Sequence, residues 1–166
     1  MSTRKTPPPQ DRTPQAALSE AGAHDLIGYQ LAQATIVTDQ VFEAVVGERL
    51  RPVEFTVLAL VQGNPGVTAR QLARALAVTP PNITVCIDRL AARDLVTRER
   101  GKQDARVQHL RLTAAGEALV TQASRELHER EREAIGTLSA AERAMLVELL
   151  HKVALARRRE GPGAQA

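Results

Sequence analysis

The sequence predicts a mainly α-helical fold with about six helices and a two-stranded β-hairpin, in which helices from both chain ends form a separate helical region. Two observations support this prediction. Apolar residues recur at three- and four-residue spacing over most of residues 25–158, which is typical of amphipathic helices. Residues 95–112 differ, because apolar and polar residues alternate there around a charged turn, as in a β-hairpin.

The composition narrows the class of protein. The chain has 166 residues, of which 43% are hydrophobic and 25% charged, enough for one domain with its own core. Aromatic residues make up only 2% of the chain, too few for the stacking platform that single-stranded nucleic acids need. The sequence has no apolar run of membrane-spanning length and no signal-peptide pattern, so we expect a cytoplasmic protein.

Two short helices in the middle of the chain are marked by their first residues. Thr68 and Gln71 form a capping box at the start of the first helix. Thr79 is predicted to cap the second helix, with Pro80 at its first position. The predicted buried faces are Leu72, Ala73 and Leu76 on the first helix and Ile83, Ile87 and Leu90 on the second. Because a turn of about two residues joins them, they predict a helix-turn-helix.

The β-hairpin is predicted directly after this pair, with strands over residues 95–100 and 106–112 and a charged tip between them. A hairpin in that position is a wing. Thr113 then caps a long fifth helix, and Ser139 with Glu142 forms a capping box that opens a sixth.

Positive charge is concentrated on the predicted winged helix-turn-helix. Residues 51–113 contain ten basic and five acidic side chains and carry +5, although the whole chain carries +3. Neutralising DNA phosphates requires such a local excess, and it predicts an affinity for double-stranded DNA that falls steeply with salt. A solvated charged surface is the alternative, which the adjoining helix-turn-helix and wing disfavour.

The outer face of the second short helix would enter the major groove. The residues predicted to contact DNA from this helix are Thr79, Pro81, Asn82, Thr84, Val85 and Arg89, with Asp88 beside them. Asn82 could read adenine, and Arg89 could contact a guanine or a phosphate. Val85 or Thr84 could contact a thymine methyl group. For Arg89, an ion pair with a nearby acid is the alternative.

The wing would supply a second contact with DNA through Arg100, Lys102 and Arg106. An arginine on such a hairpin can enter a narrow minor groove, where the negative potential is deepest. Asp104 lies two residues before Arg106 and would hold it and shape the turn. A surface charge without an orienting role is the alternative for Asp104.

These motifs resemble the MarR family of transcriptional regulators. The resemblance is carried by residues 71–84, 88–90 and 94–100, and most specifically by Asp104-Ala-Arg106 followed by residues 110–113 and Gly116. It implies a homodimer with interlocked first, fifth and sixth helices, a pseudo-palindromic operator, a repressor function without enzymatic activity, and Arg106 in the minor groove. In that arrangement the DNA-binding region comprises residues 51–113. The dimerisation region combines residues 23–50 and 114–158, and the tails are residues 1–22, expected to be disordered, and residues 159–166, expected to be flexible.

The resemblance also implies a small ligand, often anionic and aromatic, that binds between the dimerisation and DNA-binding regions and releases DNA. The aromatic residues that could line its pocket are Tyr29, Phe42 and Phe55. Three positions depart from the family pattern. Val85 stands where many relatives have arginine, Ala105 where arginine or glycine is usual, and Asp94 where a glycine often ends the recognition helix. The protein sequence therefore does not predict the base sequence of the operator.

Two alternatives remain open from the sequence: a thiol redox sensor through Cys86, and a winged-helix module that binds a protein. The peroxide-sensing branch of the family places its cysteine in the first helix, where this chain has none, so packing is the favoured role for Cys86. The four histidines lack metal-ligand spacing, and no catalytic motif is present. We therefore expect no metal, no cofactor and no catalytic residue.

Overall fold

A computed structural model of the protein describes residues 22–101 and 107–156. Its elements are α1 (Ile27–Val45), α2 (Pro52–Gly63), β1 (Val67–Thr68), α3 (Ala69–Leu76), α4 (Pro80–Ala92), β2 (Val96–Arg100), β3 (Gln108–Leu112), α5 (Ala114–Ala134) and α6 (Ala140–Ala156). The six helices and the β2–β3 hairpin of this part confirm the predicted fold class. Within it, no helix is long and apolar enough to cross a membrane. The predicted C-terminal tail and residues 1–21 of the predicted N-terminal tail lie outside the described residues.

The chain divides into two compact units, residues 1–35 and 36–166, and the boundary falls inside α1. In the first unit, the described residues comprise the turns before α1 and the beginning of that helix, where Tyr29 is half-buried. The second unit contains the rest of α1 and all the other elements. The predicted helix-turn-helix and wing therefore belong to one unit.

The small sheet has one strand more than we predicted. Its order is β1-β3-β2 with antiparallel neighbours, and Val67 of β1 lies opposite Leu110 of β3. The backbone N–H of Gly66 donates to the Leu110 carbonyl at 2.9 Å, and His109 Nδ1 lies 2.7 Å from the Gly66 carbonyl oxygen. A strand of two residues is too short to show alternation, so the sequence pattern missed it. It ties the start of α3 to the wing.

One hydrophobic core joins α2, α3, α4, the sheet and α5. Its largest fully buried side chains include Leu50, Leu58, Leu72, Ile83, Ile87, Leu90 and Leu110. On α4, Ile83, Ile87 and Leu90 are 0%, 2% and 0% exposed, as the helical wheel predicted. Burial of each such side chain contributes about 1.5–3 kcal/mol. This stripe therefore fixes which face of α4 points outward.

The predicted capping boxes of α3 and α6 are both formed. At α3, the Gln71 N–H donates to Thr68 Oγ1 at 3.3 Å, and the Thr68 N–H donates to Gln71 Oε1 at 2.9 Å. At α6, the Ser139 N–H donates to Glu142 Oε2 at 2.8 Å, and the Glu142 N–H donates to Ser139 Oγ at 3.3 Å. The hydrogen bonds from Ser139 lower the pKa of the Glu142 carboxyl.

Thr79 stands at the N-cap position of α4 and Pro80 is the first helical residue, as predicted. Thr79 makes no side-chain capping hydrogen bond. A capping oxygen accepts from the N–H of the second or third helical residue. The second residue here is Pro81, which has no N–H, so Asn82 at the third position offers the one N–H that the Thr79 side chain could accept. The two prolines, whose φ is already helical, therefore start α4 in place of a side-chain cap.

The junction between the wing and α5 is closed by Thr113. Its hydroxyl donates to the Asp94 carbonyl at 2.6 Å and accepts the Gly116 N–H at 3.0 Å, which confirms the predicted α5 cap. A Cβ on Gly116 would lie 2.0 Å from the Leu95 carbonyl oxygen, so the helix approaches the wing too closely for any side chain there. Asp94 has φ 54°, the left-handed conformation that glycine adopts most easily and that Asp tolerates. This explains how Asp94 replaces the glycine frequent in the family.

Candidate nucleic-acid interface

The outer face of α4 carries the side chains that the sequence assigned to DNA contact. Those of Pro81, Asn82, Thr84, Val85 and Arg89 are all exposed, and so is Thr79 just before the helix. Val85 is 48% exposed, a large apolar side chain in water that would gain contact area against a thymine methyl group. Thr84 Oγ1 donates to the Pro80 carbonyl at 3.0 Å. The hydroxyl proton of Thr84 is thus engaged within α4, which leaves its methyl group and the acceptor lone pairs of Oγ1 for an outward contact.

An ion pair fixes the wing against α4. Arg98 of β2 donates through Nη2 to the Asp88 carboxylate on α4. Asp88 is the acid next to Arg89, and it is engaged by the wing. In residues 22–101 and 107–156, Arg89 itself forms no ion pair, so no described acid supports the alternative role for Arg89. Arg98 had no role in the sequence analysis, because its partner depends on how β2 packs against α4.

The described part of the wing ends near its tip. Arg100 is exposed at the end of β2, opposite Gln108 of β3. The Gly101 N–H donates to the Val107 carbonyl at 2.8 Å, which closes the base of the tip. Across the strands, Arg111 Nε lies 2.9 Å from Glu99 Oε2. The other predicted wing residues, Lys102, Asp104 and Arg106, lie outside the described residues, and their contacts with DNA stay predictions.

Two arginines on α3 were counted in the charge but given no role. Arg70 and Arg74 are exposed, lie one helical turn apart, and line a groove of about 430 Å³ with Gln71 and Pro80. Neither forms an ion pair within the part of the chain that the structure describes. A sequence signal could have identified them, because the two basic residues lie four apart on the helix directly before α4.

The end of α4 is anchored by a polar cluster that sequence reasoning missed. Arg93 Nη1 lies 3.6 Å from Glu54 Oε2, and Arg93 Nη2 donates to the Arg49 carbonyl at 2.7 Å. Glu54 is only 6% exposed, and its carboxylate also accepts the Arg51 N–H at 3.0 Å. A buried carboxylate requires such partners to offset its lost hydration. The cluster therefore holds the last turn of α4 against the start of α2.

Arg49 extends these contacts to α5. Its Nη2 donates to the Val45 carbonyl at 2.6 Å and to the Glu126 carboxylate. Hydrogen bonds from Arg49 and then from Gln122 lower the pKa of the Glu126 carboxyl. A continuous polar chain thus links α4, through the turn before α2, to α5.

Cys86 packs inside the helix-turn-helix. It is 5% exposed, and burial, with the nearby Glu54 carboxylate, raises the pKa of its thiol against the opposing effect of Arg89. The thiolate is the reactive form, so a buried thiol with a raised pKa is a poor peroxide target. The packing role is favoured over redox sensing. Among the described residues, no group of three or more His, Cys, Asp or Glu side chains is placed to hold a metal ion.

The aromatic residues assigned to a ligand pocket are only partly brought together. The Phe42 and Phe55 rings meet edge to face, with centroids 5.8 Å apart and planes at 64°, and both are half-buried. Tyr29 belongs to the other compact unit. A pocket formed by all three residues therefore stays a prediction.

The comparisons with known proteins agree with this geometry. The MarR family model matches residues 50–107. CouR, a transcriptional repressor solved with a 23-mer DNA duplex, is 30% identical with a TM-score of 0.76, and the match covers 84% of this chain and 99% of that chain. BpsR of Bordetella bronchiseptica is 25% identical with a TM-score of 0.70, covering 79% and 94%. Ligand-free MarR of E. coli is 25% identical with a TM-score of 0.65, covering 76% and 96%. The chain thus belongs to the MarR family of DNA-binding transcriptional regulators.

Proposed function

We propose that the protein is a homodimeric repressor that binds a pseudo-palindromic operator, with α4 in the major groove and the wing in the adjacent minor groove. The observation that carries this proposal is the outward face of α4. The core stripe behind that face and the Asp88–Arg98 ion pair beside it hold the helix in one orientation. Side chains on a fixed helix lose little entropy when they meet base edges, so they can discriminate between bases.

The homodimer is supported by the helix at the chain's far end. In α6, seven large apolar side chains are 37–65% exposed, and the helix buries none of its residues: the seven are Met145, Leu146, Val147, Leu149, Leu150, Val153 and Leu155. A helix with apolar residues on all sides needs to be covered. α1 likewise buries no residue. A second copy of the chain would cover these surfaces, and residues 23–50 with 114–158 would form that interface.

Contacts with DNA would then divide by type. Asn82, Val85 and Arg89 are proposed to meet base edges in the major groove, and Arg106 on the wing is proposed to enter the minor groove. Because the chromosome is the target, we place the protein in the cytoplasm. CouR was solved with a DNA duplex, which supports the same use of the fold here.

A small anionic or aromatic ligand is proposed to release the protein from DNA. The support comes from the relatives, since 6-hydroxynicotinic acid regulates DNA binding by BpsR. The half-buried Phe42–Phe55 pair would offer an apolar, aromatic contact to such a ligand.

Fluorescence anisotropy with a duplex from the protein's own promoter, and a scrambled duplex of the same length, tests the proposal. We expect the promoter duplex to bind more tightly, with an affinity that falls by about a thousandfold or more between 50 and 200 mM salt. Asn82→Ala and Arg89→Ala should each cost about 1–3 kcal/mol on the promoter duplex. The exposed Arg125 of α5, outside residues 51–113, provides the control Arg125→Ala, which should bind like the wild type once sedimentation velocity has shown that it dimerises normally. Equal binding of both duplexes by the wild type would overturn the proposal.

A further inference from the structure

We propose that Arg70 and Arg74, the α3 arginine pair, form a binding site for DNA backbone phosphate beside the segment that α4 reads. The pair would add affinity that does not depend on base sequence. The inference rests on the DNA-binding function proposed above and assigns a further part of the interface to α3.

The fold directs both side chains outward. Leu72, on the opposite face of α3, is 1% exposed and anchors the helix in the core, and Ala73, which lines the same groove as the two arginines, is 5% exposed. Residues four apart share one face of a helix, so Arg70 and Arg74 lie together on the exposed face. With Pro80, the first residue of α4, they line one groove of about 430 Å³. The α3 arginine pair is therefore adjacent to the start of the recognition helix.

This arrangement does not stabilise α3 itself. Like charges four residues apart destabilise a helix, and α3 contains no acidic residue to offset them. Arg70 lies in the first turn, where the helix dipole disfavours a cation, whereas Arg74 lies in the last turn, where a cation is favourable. Neither arginine forms an ion pair with any described residue. An external anion would relieve a repulsion that the fold leaves uncompensated.

Backbone phosphate is the anion that this position favours. In a helix-turn-helix the first helix crosses the DNA backbone while the second enters the major groove, and α3 is that first helix here. The guanidinium group is planar and can donate two parallel hydrogen bonds to a phosphate. Gln71, which lines the same groove, uses its side-chain oxygen in the capping box with Thr68. The two arginines are thus the cationic donors of the groove.

The test compares Arg70→Gln, Arg74→Gln and the double variant with the wild type. Anisotropy is measured on the promoter duplex and the scrambled duplex over a series of KCl concentrations. A plot of log affinity against log salt has a negative slope. Each single substitution should make that slope less steep by about 0.9, and the double variant should make it less steep by about twice that. The loss of affinity should be the same factor on both duplexes, whereas Asn82→Ala should weaken only the promoter duplex. Arg132→Gln on α5 removes the same charge outside residues 51–113 and should leave the slope unchanged, with sedimentation velocity checking that this variant dimerises like the wild type.

Two further readouts separate phosphate binding from a structural role. Thermal unfolding of Arg70→Gln should occur at the same or a higher temperature than that of the wild type, because an unfavourable charge has been removed. Arg70→Lys with Arg74→Lys should keep the salt slope, since both charges remain, and lose part of the affinity with the bidentate geometry.

The outcomes distinguish this inference from the function on which it rests. If the wild type prefers its promoter duplex and the glutamine variants keep the wild-type slope, the phosphate site is overturned and the DNA-binding function stands. A lower unfolding temperature in Arg70→Gln, matching its loss of affinity, would also overturn it in favour of a structural role. If the wild type does not distinguish the two duplexes, the proposed function fails, and this inference with it.

Discussion

Helices α4, of 13 residues, and α6, of 17 residues, pack against the rest of the chain in opposite ways. α4 buries an apolar stripe of Ile83, Ile87 and Leu90 and leaves a mostly polar face outside. α6 leaves Leu149 and Leu150 50% and 39% exposed and buries none of its residues. The packing of α4 is thus completed within one chain, whereas that of α6 requires another surface. The stability of α4 should not depend on protein concentration, and the order of α6 should.

The largest expected effect concerns packing that is completed within one chain, at the contact between α5 and the wing. In Gly116→Ala, the new methyl group would meet the Leu95 carbonyl at 2.0 Å and force α5 away from the wing. Such overpacking against backbone should destabilise the protein by about 3 kcal/mol. Chemical denaturation should show this loss at every protein concentration. Gly63→Ala is the matched control, because a Cβ there has nothing within 4 Å and should be tolerated. Equal stability of the two variants would show that the wing and α5 separate without cost.

A second test concerns α6, whose apolar surface is left exposed within one chain. Leu150→Glu places a charge on the apolar surface of α6 that the proposed homodimer covers. Leaving a charge without a partner in an interface costs at least about 2 kcal/mol, which corresponds to a roughly 30-fold weaker dimer. Sedimentation velocity over a concentration series should detect this shift. Glu148→Gln, also on α6 but polar in the wild type, should leave the dimer intact. If Leu150→Glu dimerises like the wild type, α6 is covered by something other than a second copy.

A third, smaller effect concerns the anchor at the end of α4. Arg93→Met leaves the Glu54 carboxylate, 6% exposed, without its guanidinium partner. Since Arg93 is itself partly exposed, solvent screening reduces the expected destabilisation to about 1 kcal/mol. Adding Glu54→Gln removes the stranded charge and should recover part of that loss. Denaturation of the two single variants and the double variant measures the coupling. Strictly additive effects would show that the two side chains do not interact in the folded protein.

The same comparison shows what the sequence could and could not predict. The buried stripe of α4 was predictable, because its apolar spacing and Pro80 are local signals. Burial of Glu54 was not, because a carboxylate in the first turn of a helix is usually exposed. The partner of Arg98 depends on how β2 packs against α4, which no local pattern encodes. The contact of Arg106 with DNA is likewise still a prediction, since the wing tip lies outside the described residues.

The smallest predicted effect belongs to the start of α6. Hydrogen bonds from Ser139 lower the pKa of the Glu142 carboxyl below its ordinary value of 4.5, so the folded helix favours the carboxylate. A lowered pKa in the folded state contributes stability that is present above 4.5 and is lost as the pH falls through the folded value. Circular dichroism between pH 6 and pH 3 should therefore show a loss of helicity that is smaller in Ser139→Ala, whose cap is already weakened at neutral pH. An identical acid response in the two proteins would mean that α6 is held by its covering surface alone, and not by its own first turn.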